Sequence, residues 1–168
     1  MIETRKDHMH MENNDKDKKY ELIIKQLVAL HEDEHDHIAI LANASALLNQ
    51  FLEKINWVGF YLWNDDEEEL VLGPFQGLPA CIRIAYGKGV CGTAIKERKT
   101  QRVPDVNLFP GHIVCDAASQ SEIVIPIFIG EQTYGVLDID SPIKNRFDEV
   151  DQHYLEQFVE TLKELLSR

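Results

Sequence analysis

Ser121-Glu122-Ile123-Val124-Ile125-Pro126-Ile127-Phe128-Ile129-Gly130-Glu131-Gln132-Thr133-Tyr134-Gly135-Val136-Leu137-Asp138-Ile139-Asp140-Ser141 is the stretch on which the fold turns. Two apolar, β-branched runs, Ile123 to Ile129 and Tyr134 to Asp140, flank a Gly130-Glu131-Gln132 turn. This is the pattern of an antiparallel hairpin. Side chains alternate along a strand, so Ile123, Ile125 and Ile127 share one face, as Leu137 and Ile139 do on the second strand. Glu122, Asp138 and Asp140 lie opposite. If the two strands pair, three carboxylates stand on one side of a sheet. Two readings are open. Alternating acids ordinarily form a solvated face. Alternatively another segment covers them as an acidic pocket, in which crowded carboxyls raise one another's pKa and hold a proton near neutral pH. The remaining anions would then suit an ammonium group.

Upstream, the aromatic run Trp57 to Trp63 reads as a strand that returns through the acidic turn Asn64 to Glu69 to a second strand at Leu70 to Leu72. Gly73, Pro74, Gly77 and Pro79 punctuate a loop, and a short strand is expected over Cys81 to Ala85. The glycine-rich turn Gly87 to Gly92 opens a short helix, Thr93 to Arg98. Asp105 to Gln120 reads as a long loop, and loops of that length in a small domain usually carry function. Helices are expected at both ends. One runs from Lys19 with Leu22, Ile23, Leu27 and Leu30 inward. A second starts near Asp33 or Glu34 and ends near Leu52, with Ile38, Leu41, Ala42, Ala44, Leu47 and Leu48 on its inner face. The last starts at Asp148, capped with Asp151, and buries Val150, Tyr154, Leu155, Phe158, Leu162 and Leu165. Residues 1–18 are polar and read as a flexible tail; residues 19–168 form one domain. The element order predicts an α+β fold, a central antiparallel sheet with flanking N- and C-terminal helices.

The net charge of −12 disfavours a phosphate backbone as partner, so no nucleic acid is expected. No stretch is long and apolar enough to span a bilayer, and the N-terminus lacks the apolar region of a secretory signal, so a cytoplasmic location is expected. Three cysteines, Cys81, Cys91 and Cys115, are an odd number in a reducing compartment, which argues against a disulfide framework. They are buried hydrophobes, metal ligands or reactive thiols. Cys115 sits in the long loop. Cys81 and Cys91 flank the glycine-rich turn, where the backbone N–H groups of the following helix can lower a thiol pKa. With His112 the three would make a zinc set, but they lack the close cysteine pairs of such sites, and no metal is expected. His31, His35 and His37 read as a solvated helix start. Gly87-x-Gly89-x-x-Gly92 lacks the βαβ setting of a dinucleotide site. Trp57 or Tyr61 can face a pocket and pack on an apolar ligand.

The blocks Asn56 to Tyr61, Leu72 to Gly77, Cys81 followed by Gly87 to Ala94, Pro104 to Val106, Pro110 to His112, Cys115-Asp116, Ser121 to Val124 and Gly135 to Ser141 together resemble the free methionine-(R)-sulfoxide reductases, enzymes built on a GAF domain. The resemblance spans Ala29 to Leu166. It implies that Cys115 is the catalytic nucleophile, Cys81 the main resolving cysteine and Cys91 a second redox thiol. It implies that Glu122, Asp138 and Asp140 engage the substrate, and that Trp57 and Tyr61 line its pocket. It further implies reduction of free methionine-(R)-sulfoxide without metal or organic cofactor, regeneration by thioredoxin, and a homodimer. The rival is a GAF sensor for a small ligand such as a cyclic nucleotide, superficially suggested by Asn145 to Glu149. The spacing there fits poorly, and three acids facing a phosphate would repel it.

Overall fold

The elements, in chain order, are α1 (Glu3–Leu30), α2 (His37–Phe51), β1 (Trp57–Asn64), β2 (Glu69–Gly77), β3 (Arg83–Ala85), α3 (Gly89–Glu97), β4 (Gln101–Val103), β5 (Ser121–Ile129), β6 (Gln132–Ser141) and α4 (Glu149–Leu166). A single 3₁₀ turn, Val106–Leu108, interrupts the long loop. The structure is a computed structural model that describes residues 3–168, with side chains from Asp15 onward. The fold is α+β. Six antiparallel strands form one sheet in the order β3-β2-β1-β6-β5-β4, so the hairpin that opens the sequence reading occupies its middle.

Strand alternation divides the interior into two cores. Ile123, Ile125, Ile127, Leu137 and Ile139, joined by Val58 and Phe60 of β1, pack against α1, α2 and α4. Side chains of opposite parity, Trp57, Tyr61, Val124 and Val136, pack under α3 with Val90, Cys91, Ala94 and Ile95, and Val106 of the long loop joins them. Both faces of the central strands are therefore covered, which decides the fate of any acid on them. Among the described residues no helix is long and apolar enough to cross a membrane.

Several boundaries differ from the sequence expectation, each for a local reason. The helix expected from Lys19 continues upstream to Glu3, so part of the segment read as a tail belongs to α1. Lys16 holds it there through Asp148 and Asp151 of α4, at 2.9 and 2.8 Å. Met1 and Ile2 lie outside the described residues. Leu22 and Leu30, expected inward, are exposed; the buried stripe is Tyr20, Ile23 and Leu27, because Tyr20 sets the phase of the helix through its hydroxyl. The second helix starts at His37, after Asp36. Asp36 caps it by accepting from Ala39 N, while Glu34 is occupied with the backbone N–H groups of His35 and Asp36. Ile38, expected inward, is exposed, and Ile40 is buried in its place. β2 runs through the expected loop to Gly77, because a bulge opposite Phe60 absorbs Gly73 and Pro74. The short helix begins at Gly89 rather than Thr93, so most of the glycine-rich turn is its first turn. A Cβ at Gly92 would stand 2.5 Å from Ala85 O. The edge strand β4 is too short to show a period. Asp148 and Asp151 form the capping box expected of them.

Asp151 joins the two ends of the chain. It is fully buried and accepts from Tyr20 Oη at 2.6 Å, Lys16 Nζ at 2.8 Å, Arg146 Nη1 at 3.3 Å and its own cap backbone, Asp148 N, at 2.9 Å. Removing one partner of a buried charged network leaves the others uncompensated, at a cost of about 3–5 kcal/mol. Asp151→Ala is expected to lower stability by about that amount, read as the shift in the urea midpoint at constant slope.

Candidate active site

β5 and β6 place Glu122 directly opposite Asp140, with Asp138 two residues away on the same face. On its other side β6 pairs with β1, which sets Asp140 beside Trp57 and Asp138 beside Gly59. The solvated-face alternative does not hold: Glu122 is 7% exposed and Asp138 5%. Burial first, then the neighbouring carboxyls Asp138 and Asp140, raise Glu122 well above the ordinary carboxyl range. Asp140 is raised well above its usual range by burial and by Asp138, and Asp138 is raised by burial. Each of the three is therefore harder to ionise than an ordinary carboxyl. Asp138 Oδ1 is enclosed and has no hydrogen-bond partner among the described residues.

The roof consists of α3 and the loop between β4 and β5. α3 brings Cys91 over the acids, as a buried free thiol. Burial and the adjacent Asp138 push that thiol up, so the lowering expected from helix N–H groups is not seen at Cys91. Cys91 lies in the first turn of α3, and there desolvation and the three acids outweigh the pull of the helix N-terminus. The loop carries Cys115, which is joined in a disulfide to Cys81, 34 residues earlier, with the Cα atoms 5.4 Å apart. Gln120 N donates to Ser141 O at 2.7 Å and Val106 N to Gln120 O at 2.9 Å, which fixes both ends of the loop to the sheet. Asn56 Nδ2 donates to Asp116 and to Ser119 Oγ, at 2.9 and 3.1 Å, next to the disulfide.

Trp57 and Tyr61 stack with ring centres 5.8 Å apart, and both line the pocket. Their polar ends reach the segment that carries Cys81: Trp57 Nε1 donates to Leu78 O at 3.2 Å and Tyr61 Oη to Cys81 O at 2.9 Å. One pocket is thus bordered by Trp57, Tyr61, Cys91, Cys115, Glu122, Asp138 and Asp140, with Cys81 bonded to its wall. All eight residues singled out in the sequence meet there. His112, Asp116 and Ser119 also line it and were not assigned to it from the sequence. His112 Nε2 stands 4.0 Å from Glu122 Oε1, and partial burial lowers its pKa. The Cys-and-His content of the loop was the available signal, but it suggested only metal ligation. His31 and His37 lie elsewhere: His31 Nδ1 bonds to Leu27 O, and His37 pairs with Tyr134.

A GAF domain family model matches residues 39–167. Over 139 residues the chain is 53% identical to the free methionine-R-sulfoxide reductase of Escherichia coli strain K12, covering 83% of each protein. The chain belongs to the GAF-domain family of free methionine-R-sulfoxide reductases. Protein YtsP of Bacillus subtilis is 59% identical over 96% of this chain and 99% of its own length. Among solved structures, the reduced form of fRMsr of Staphylococcus aureus matches with a TM-score of 0.84 and 58% identity, over 88% of this chain and 94% of that one. The free methionine-R-sulfoxide reductase of Neisseria meningitidis, in complex with its substrate, matches with a TM-score of 0.85 and 42% identity over 88% of each chain.

The fold keeps Glu122 and Asp138 buried at a cost in stability that depends on pH. The folded chain retains on Glu122 a proton that an unfolded chain releases near pH ~4.3. That contribution is full below the unfolded value and is lost as pH rises through the raised folded value. Glu122→Gln cannot ionise, so its urea midpoint is expected to exceed that of the wild type at pH 8. The difference should shrink toward pH 4; a difference that grows instead would mean that Glu122 is ionised in the fold.

Proposed function

We propose that this chain reduces free methionine-(R)-sulfoxide to methionine, with Cys115 as nucleophile and Cys81 as resolving thiol. The observation that carries the reading is the Cys81–Cys115 disulfide at the edge of a pocket that also holds the buried carboxyls of Glu122 and Asp138 and the partly exposed Asp140. The Cys115 thiolate attacks the sulfoxide sulfur while a protonated carboxyl gives its proton to the oxygen. Oxygen ends on Cys115 as a sulfenic acid, and methionine leaves, reduced by two electrons. The Cys81 thiolate attacks Cys115 Sγ and expels the oxygen as water, forming the disulfide. A dithiol, thioredoxin in this reading, returns both thiols by exchange. The sum is sulfoxide and dithiol giving thioether, disulfide and water.

The acids take two parts. Sulfoxide oxygen leaves poorly unless protonated, so a carboxyl held protonated by burial acts as general acid. An ionised neighbour receives the substrate ammonium, which the same group in a peptide chain lacks. Trp57 and Tyr61 supply apolar walls for the side chain. Cys91 is a reserve thiol within the same pocket. A cytoplasmic homodimer completes the reading. The acids count against a nucleotide sensor, since they would face a ligand phosphate.

With thioredoxin, thioredoxin reductase and NADPH, the free R epimer is expected to drive NADPH consumption, with little from the S epimer or the N-acetylated compound. Equal rates on all three would sink the reading. Starting from pre-reduced protein, Cys115→Ser should release no methionine. Cys81→Ser should release one per chain and stall.

Glu122→Gln and Asp140→Asn should each lower kcat/KM by roughly 10²-fold or more, the scale of one general acid or one charge-assisted contact. Wild-type kcat/KM in both variants would remove the acids from the mechanism.

A further inference from the structure

The three cysteines lack the sequence spacing of a zinc site, but the fold assembles a different donor set that no spacing reveals. Cys91 comes from α3, Glu122 from β5 and Asp138 from β6. One ligand atom from each, a sulfur and two carboxylate oxygens, lie within 4.8 Å of one another, and all three residues are buried. A second observation points to an occupant. Asp138 is 5% exposed, and its Oδ1 is enclosed without a hydrogen-bond partner among the described residues. Folded proteins rarely leave such an oxygen unmatched.

The geometry points to an inhibitory Zn²⁺ site formed by Cys91 Sγ and one carboxylate oxygen each from Glu122 and Asp138. The chemistry suits that ion. Zinc accepts mixed sulfur and oxygen donors in a tetrahedron, at roughly 2.3 Å to sulfur and 2.0–2.2 Å to oxygen. Three protein donors leave a fourth position for water. Magnesium and calcium prefer more oxygen donors and no thiolate, so they are poorly matched. Binding replaces the Cys91 S–H bond with a Zn–S bond. That proton, and any on the two carboxyls, passes to solvent, with no change of oxidation state.

The consequence for activity rests on the reductase reading above. Zinc would occupy the carboxylates meant for the substrate's ammonium and the sulfoxide proton, so bound metal and substrate exclude each other. Cys81 and Cys115 are not ligands, and the ion can enter while they are joined. In that state Cys91 is the one free thiol among the cysteines, which isolates the site for measurement.

The test uses the full chain with the Cys81–Cys115 disulfide intact, titrated with Co²⁺ as a spectroscopic stand-in and then with Zn²⁺. A thiolate-to-cobalt charge-transfer band should saturate at one ion per chain and vanish as zinc displaces cobalt. Cys91→Ser should abolish the band, and Asp138→Asn should weaken cobalt affinity tenfold or more. A wild-type chain without the band, or equal affinity in wild type and Asp138→Asn, overturns the site. With reduced protein, zinc should inhibit turnover and a chelator should restore it; turnover that persists under saturating zinc overturns the inhibition. A chain inactive on methionine sulfoxide that still gives the cobalt band would remove the reductase reading and leave the metal site standing.

Discussion

The structure depends on keeping the carboxyls of Glu122 and Asp138, with the partly exposed Asp140 beside them, out of water on the face of a sheet. Removing an ionised carboxylate from solvent is costly, and a group in that position takes up a proton instead. Glu122, Asp138 and Asp140 therefore require a fold whose stability comes from elsewhere. The opposite face provides it. Ile123, Ile125, Ile127, Leu137 and Ile139 sit on the same two strands as the acids, and their side chains lock into three helices. Strand alternation gives β5 and β6 two tasks at once: one parity supplies the main core, the other the chemistry. A one-residue slip in the pairing would exchange them, so the apolar face also fixes the position of the acids.

The roof over the acids is built differently. α3 and the β4–β5 loop contribute a thinner apolar layer, and the loop is tied by backbone hydrogen bonds at its ends. Such a cover can exclude water and still rearrange locally when the bond between Cys81 and Cys115 forms or opens. The stacked pair Trp57 and Tyr61 belongs to both systems. Their rings line the pocket, while their N–H and O–H groups hold the chain around Cys81.

The sequence made the hairpin legible because isoleucines at every second position leave little choice of face. It also showed the capping box at Asp148, the aromatic strand and the three terminal helices. The parity of Glu122, Asp138 and Asp140 was equally plain, but their burial was not. A period of two says which residues share a face and is silent on what covers it. Leu22, Leu30 and Ile38 were misplaced because several helical phases satisfy an apolar-rich segment, and long-range partners choose among them. Tyr20 bonded to Asp151, 131 residues away, is one such partner. Asp116 and Ser119 escaped for the same reason, since each reaches the pocket through the fold, while His112 gave a signal only of metal ligation. The roles of Cys81, Cys91 and Cys115 rested on resemblance. In the structure the first and last are bonded, and the middle one sits buried with the acids.

The disulfide spans 34 residues, a segment that includes β3, α3 and β4. In the chain-entropy view, a cross-link over that length removes about 4 kcal/mol of closure freedom from the unfolded ensemble. A marginally stable domain has only about 5–15 kcal/mol in total. Joining and separating Cys81 and Cys115 therefore moves the chain between two levels of resistance to unfolding. The oxidised form is the sturdier, and the reduced form is the more exposed to proteases and to heat. How long such a molecule lasts would then follow the ratio of oxidant to reductant around it, so that its lifetime becomes a record of the redox history of its surroundings.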